Sequence, residues 1–306
     1  MEPSKKSELI GHLAALSAII FFALNIPATA YILKGWIEPA GYTSCRLLGG
    51  ALTAWIVSAF IKNTPIDWKK DGLTILLGGV IGMAIFFYIF SAGLFKTSPI
   101  DASIILTLSP VLVLIISAIV FKEQITKRKS IGIVLALIGA LMVILMQHQN
   151  STIHGALTGN LLMLASTVIY AVYLIISRGI SSKYNPVTLL RWIFLSGLIV
   201  ALPFGFSEII HSPMVTQGDS KPILVMLFIA FFPSALSYML IPIALKRLSS
   251  TIVSMYSYLI PVIASIVSIL LGQAVLEWFE PVSLLLIVIG VYFVTITKKK
   301  NSASKK

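Results

Sequence analysis

Arg46 and Arg191 stand inside apolar runs, Thr43-Ser44-Cys45-Arg46-Leu47-Leu48 and Thr188-Leu189-Leu190-Arg191-Trp192-Ile193. A guanidinium stays charged, and placing it mid-bilayer costs about 2.5–3.5 kcal/mol on insertion scales, less near an interface. Each arginine lies some six residues from the end of its run, roughly 9 Å deep at 1.5 Å of rise per residue. Two chemistries are open to such a group. It can snorkel toward the interface or meet helix C-terminal carbonyls, or it can gate a pathway and attract an anion. Asn25 and Pro27 form a second pair. Pro27 removes a backbone donor and kinks its helix, and Asn25 offers both a donor and an acceptor where lipid offers neither.

Amphipathic aromatics supply further binding candidates: Tyr88, Tyr170, Tyr173, Trp192, Tyr238 and Tyr256. Each has an apolar face and one polar atom, which suits an amphipathic ligand and equally suits helix-to-helix bonding. Ser109 with Pro110, and Pro261, interrupt apolar runs as broken helices do where carbonyls face a ligand. The carboxylates Asp71, Asp101, Glu123, Glu208, Glu277 and Glu280 all fall at run ends or in connections, where solvation or helix capping accounts for them. His12 lies a turn into the first run and His154 opens the sixth. The sequence holds no phosphate-cradling loop, paired-histidine metal motif or activated nucleophile pattern, so neither a cofactor, a metal nor an enzymatic centre is expected.

These residues sit in an unusual composition. Of the 306 residues 58% are apolar and only 11% charged, whereas a soluble domain has about 45–50% apolar and about 25% charged residues. The mean hydropathy is +0.98. Lipid must therefore be the solvent for much of the surface, which excludes an ordinary soluble enzyme. The net charge of +12 lies between apolar runs rather than on one basic face, which argues against a nucleic-acid partner. Cys45 is the single cysteine and excludes an intrachain disulfide.

About 20 apolar residues cross a bilayer. On that measure the chain divides into ten spans, near 9–33, 40–61, 71–95, 99–121, 128–147, 154–177, 186–206, 222–245, 250–272 and 280–297. The longest connection, Ser207 to Lys221, reads as an exposed loop. With the N-terminus inside, 18 Lys and Arg residues fall on the inner side, three (Lys34, Lys96 and Lys221) fall outside, and Arg46 and Arg191 lie within spans. The split follows the tendency of cytoplasmic loops to carry positive charge and places both termini in the cytoplasm of a cell-membrane protein.

The chain also repeats itself. An offset of 151 aligns Leu94, Ser98, Ser103, Leu108, Pro110, Val111, Ile115 and Ser117 with Leu245, Ser249, Ser254, Leu259, Pro261, Val262, Ile266 and Ser268, and Gly139 with Gly290. An offset of 148 aligns Gly11, Leu13, Leu16 and Ala23 with Gly159, Leu161, Leu164 and Ala171, and an offset of 145 aligns Thr43 and Arg46 with Thr188 and Arg191. Residues 1–150 and 151–306 are thus expected to be two five-helix repeats. Five is odd, so the second enters the membrane from the opposite side. The predicted fold is an all-α integral membrane protein of ten transmembrane helices in two inverted repeats, with a midplane site between them.

Ten spans in two halves, an Arg early in the second span of each half, Ser98-Pro99-Ile100-Asp101-Ala102-Ser103 leading to Leu108-Ser109-Pro110, and Phe121-Lys122-Glu123 closing the fourth span resemble the drug/metabolite transporter superfamily, in particular its EamA-type permeases. Lys122 replaces the family's Gly in that closing turn, and the second-half counterpart is Gly272-Gln273. The resemblance implies a central cavity lined by the first four helices of each half, a peripheral fifth and tenth helix, and a cargo drawn from amino acids, sugars, nucleotide-linked sugars or drugs. The function expected is alternating-access transport of small organic metabolites, amino acids or related compounds. The partners are that solute and the lipid bilayer, with a second copy of the chain also a candidate. An intramembrane enzyme would need ionisable groups converging mid-membrane, and a structural or sensory protein would not need the repeat.

Overall fold

A computed structural model describes residues 5–122, 125–150, 155–248 and 250–295. Glu123, His154 and the C-terminal lysines fall outside them, as do the side chains of His148 and Ser254. Every regular element among the described residues is helical.

The helices are α1 (Lys5–Leu33), α2 (Pro39–Ala59), α3 (Trp68–Lys96), α4 (Pro99–Phe121), α5 (Lys127–Asn150), α6 (Ala156–Ser181), α7 (Pro186–Ile210), α8 (Ser220–Leu245), α9 in two pieces (Ser250–Tyr256 and Leu259–Leu270) and α10 (Phe279–Thr295). Seven of these are long and apolar enough to cross a membrane, and both Leu259–Leu270 and α10 are shorter apolar helices. Helix α2 has 21 residues but is less apolar, because it carries Tyr42, Thr43, Ser44, Arg46 and paired glycines. The helix starts are built from local chemistry. Pro at the first position needs no donor, and Pro39, Pro99 and Pro186 occupy it in α2, α4 and α7. Ser98 accepts from Asp101 N at 3.0 Å and Asn185 accepts from Val187 N at 3.0 Å, capping two of them. The stretch expected to be an open loop is partly ordered: α7 runs on to Ile210, and a one-turn helix, Pro213–Thr216, buries Met214.

Four helices are locally distorted, α9 by the break at Ser257 and Tyr258 between its two pieces. Helix α3 is π-helical over Val80–Ile85 and α8 over Phe232–Leu236, while α4 breaks at Thr107 and Leu108. Such π stretches accumulate at functional positions because they displace side chains from the regular face.

Close packing is set by small residues. Helices α2 and α7 run antiparallel: Ser44 Oγ donates to Ala201 O at 3.0 Å, and a Cβ on Gly205 would meet Ala40 O at 2.3 Å. Helices α5 and α10 also run antiparallel, with a Cβ on Gly132 falling 2.5 Å from Gly290 O and one on Gly139 falling 2.7 Å from Ser283 O. Helix α1 pairs with α8, and α3 with α6. Without a hydrophobic drive between lipid-solvated helices, such close backbone approach is what holds them together.

Candidate functional site

A buried polar chain runs through the first half. Thr29 and Asn25 are one turn apart on α1, Tyr42 and Arg46 one turn apart on α2, and residues at that spacing share a face. Arg46 Nη1 donates to Asn25 Oδ1 at 3.0 Å and to Tyr42 Oη at 2.8 Å, and Tyr42 Oη shares a 2.7 Å hydrogen bond with Thr29 Oγ1. The guanidinium lies 4.0 Å from the centre of the Phe87 ring on α3. Arg46 is 3% exposed, and among the described residues its Nε has no partner and no carboxylate pairs with it. Arg46 therefore does not snorkel. It is a dry, uncompensated cation, the arrangement that attracts an anionic group most strongly where the dielectric is low.

Arg191 shares the unpartnered Nε but is less buried. It is half-buried, its Nη1 reaches Ser58 Oγ at 3.5 Å, and its guanidinium lies 5.0 Å from the Trp55 ring and 5.5 Å from the Trp192 ring. Trp192 also meets Trp68 edge-on at 4.8 Å. Arg46 is sealed and Arg191 is held in a partly open aromatic cluster.

Between the two lies an aromatic wall. Phe86 packs 5.1 Å from Tyr170, which is 6.0 Å from Tyr173, and Tyr238 stands 5.6 Å from Phe22 and 6.4 Å from Phe194. Tyr238 lies within electrostatic range of Tyr170, Tyr173 and Arg46, which brings both arms together. Gly82, inside the π stretch of α3, leaves room for Tyr173, since a Cβ there would lie 2.1 Å from its ring.

Other candidates fall elsewhere. Pro27 acts through its carbonyl, which accepts from Gln273 Nε2 at 3.0 Å. Tyr88 follows Phe87 but is 46% exposed, beside a groove of about 470 Å³ with Thr43, Val200 and Phe204. Ser109 is half-buried and Pro110 exposed just beyond the α4 break, whereas Pro261 is buried beyond the α9 break. Tyr256 binds His12, Oη to Nδ1 at 2.8 Å, near the N-terminal end of α1. Thr29, Tyr42, Phe87, Trp55 and Ser58 join the site without having been singled out from sequence.

The carboxylates differ from the expectation of solvated caps. Asp71 ties the α6–α7 turn to α3, accepting from Lys183 Nζ at 2.9 Å and from Tyr184 Oη at 2.7 Å. That hydrogen bond holds the Lys183 ammonium above the usual lysine range. Asp101 and Glu280 are fully buried against each other. At the same end of the bundle a mouth of about 620 Å³ opens between Lys34, Glu38, Glu208 and His211.

The model of the EamA-like transporter family matches residues 9–145 and again 157–296. The uncharacterized transporter YyaM of Bacillus subtilis is 26% identical over 298 residues, covering 92% of this chain and 93% of that protein. A protein of Salmonella typhimurium named probable amino-acid metabolite efflux pump is 29% identical over 247 residues, covering 78% and 82%. A solved crystal structure superimposes with a TM-score of 0.61 over 96% of this chain and 97% of its own at 19% identity, a likeness of fold.

Proposed function

The chain belongs to the EamA-like transporter family and is a multi-pass membrane transporter, and from that premise we propose that it carries small organic solutes bearing a carboxylate, amino acids and related metabolites, by alternating access between two inverted halves. The observation that carries the reading is Arg46, a buried cation with no acidic partner. A solute carboxylate is the missing counter-charge, Nε is an unused donor for it, and Asn25, Tyr42 and Phe87 hold the guanidinium. The Tyr170, Tyr173 and Tyr238 wall then receives the rest of the solute. The name of the Salmonella relative agrees with that solute class.

Ten crossings in two inverted repeats are supported by contacts that recur under the sequence offsets. Gly11 packs on Arg247 and Leu248, while its counterpart Gly159 packs on Lys96 and Thr97, the counterparts of those two. Gly132 packs on Gly290 as Gly139 packs on Ser283, the same pair exchanged. The π stretch Val80–Ile85 shifted by 151 falls on 231–236, against Phe232–Leu236. Counterpart helices α2 and α7, and α5 and α10, run antiparallel, as inversion requires.

The two arginines then mark the two ends of one cycle. Asn25, Thr29 and Phe87 correspond to Tyr173, Ser177 and Tyr238. In this state Arg46 is locked by the first set, while Arg191 leans on Trp55 and Trp192 instead of the second. Exchange of these environments is the movement that opens the solute site to the other side.

Purified protein in proteoliposomes should take up labelled neutral amino acids saturably. A panel of amino acids and small carboxylic acids showing no protein-dependent flux would contradict the reading.

A further inference from the structure

Asp101 lies in the first turn of α4, and Glu280 in the first turn of α10. The two are 0% and 1% exposed, and their carboxyl groups touch. Glu280 Oε2 accepts from Glu277 N at 2.7 Å, whereas the buried carboxyl of Asp101 has only the Ser98 and Thr97 hydroxyls beside it, and no cation among the described residues. Two carboxylates are acceptors only, so a direct contact between them with a proton on neither is repulsive. A single proton turns the same contact into a charge-assisted hydrogen bond.

Among the described residues no basic group satisfies the pair in its place. Glu277 is the nearest further charge and is acidic. On the packed helices, Tyr31 is the titratable side chain in the facing half of α1, α6 brings Asn160 and Thr167, and the Leu259–Leu270 piece of α9 brings Ser265 and Ser268, while the cations of α5, Lys127, Arg128 and Lys129, stand in its first turn at the end away from Glu280. Lys96 at the end of α3 is exposed, and Lys34 is exposed and directs its Nζ to Gln273 O at 3.4 Å. Neither lysine forms an ion pair with Asp101 or Glu280. The two helix N-termini that converge here supply partial positive charge enough to favour one anion, but not two.

We propose that Asp101 and Glu280 form a proton-binding site that is loaded and emptied once per transport cycle, so that the coupling ion of this carrier is the proton. The proposal rests on the transporter reading above. In the closed state at this end one proton is shared, and the pair carries a single negative charge. When the first turns of α4 and α10 separate, water reaches the carboxyls, the proton leaves to water, and two carboxylates repel each other until one is reprotonated. No redox partner or leaving group is involved. The site has a defined side. The repeat counterparts of Asp101 and Glu280 are Ile252 and Lys129, which cannot share a proton, so only one end of the cycle carries this step. That asymmetry is what a pH gradient needs to give net direction to an otherwise symmetric carrier.

Three preparations test it: the wild type, Asp101→Asn and Glu280→Gln, each in proteoliposomes with a trapped pH-sensitive dye and a labelled neutral amino acid. Infrared difference spectra of the same samples are read for the carbonyl stretch of a protonated carboxyl. The expected result is wild-type flux that changes with an imposed pH gradient and moves protons with solute, and variants that still exchange labelled for unlabelled solute but no longer respond to the gradient. A protonated-carboxyl band at neutral pH should vanish in both variants. Wild-type flux indifferent to the gradient, variants as pH-responsive as the wild type, or no such band would overturn the proposal while leaving carrier activity intact. Absence of solute flux in the wild type would instead remove the transporter reading, and the infrared band would then decide the shared proton on its own.

Discussion

Replacing Arg46 by Met removes the guanidinium while keeping an unbranched side chain of similar reach. Two stability effects oppose each other. Asn25 Oδ1 loses its 3.0 Å donor and Tyr42 loses one of two partners while keeping Thr29, and leaving a buried acceptor unsatisfied costs about 1–3 kcal/mol. Against that, a membrane-buried cation that cost about 2.5–3.5 kcal/mol to insert is gone. The net change in folding stability should lie between about 0.5 kcal/mol of loss and about 2.5 kcal/mol of gain, so the thermal midpoint in detergent should not fall appreciably. Transport should change far more. A hydrogen bond to a charged group contributes about 1.5–3 kcal/mol, and every 1.4 kcal/mol is tenfold, so the KM for a carboxylate solute should rise roughly 10- to 100-fold. The assay compares uptake of a neutral amino acid with that of its carboxamide. The acid should lose affinity and the amide should be affected little. Equal loss for both solutes, or an unchanged KM for the acid, would refute carboxylate recognition by Arg46.

Gly290→Leu should loosen the α5–α10 pair, because any Cβ there meets Gly132 O at 2.5 Å and Ala136 N at 2.7 Å. Overpacking of that kind costs about 1–3 kcal/mol, and an unchanged thermal midpoint would contradict the close packing. Lys122 has φ of 54° at the end of α4, a left-handed conformation that costs a side-chain-bearing residue about 1–2 kcal/mol. Lys122→Gly should therefore raise the thermal midpoint, and a fall would show that the lysine side chain has a stabilising contact. A glycan acceptor placed near Gly218, in the α7–α8 connection, should be modified in a eukaryotic insertion assay if both termini face the cytoplasm. Modification of an acceptor between Lys62 and Trp68 instead would reverse the orientation.

The all-helical membrane character was legible because lipid forces it: apolar runs of about 20 residues admit helix and little else. The starts of α2, α4 and α7 were legible at Pro39, Pro99 and Pro186. The distortion in α8 was legible at Pro233, which lies in its π stretch, whereas that in α3 was not, since Val80–Ile85 contains no proline and a π stretch leaves no composition signal of its own. Within the site, Asn25 and Arg46 were visible as polar groups out of place, but their meeting was not, because α1 and α2 pair by tertiary packing. Tyr42 and Thr29 could have been found from their one-turn spacing to Arg46 and Asn25. Tyr88 was visible as a polar aromatic, but one step of 100° along α3 puts Phe87 on Arg46 and Tyr88 beside the groove of about 470 Å³. Asp101 and Glu280 read as caps because each begins a helix. What made them more than caps is the convergence of two helix starts far apart in sequence.

Counterflow tests the carrier reading most directly. Proteoliposomes loaded with unlabelled neutral amino acid and diluted into a trace of the labelled form should accumulate label transiently above equilibrium, because an alternating site returns loaded faster than empty. Simple equilibration at a rate independent of the internal solute, with no overshoot and no saturation, would contradict a site that alternates between the two halves.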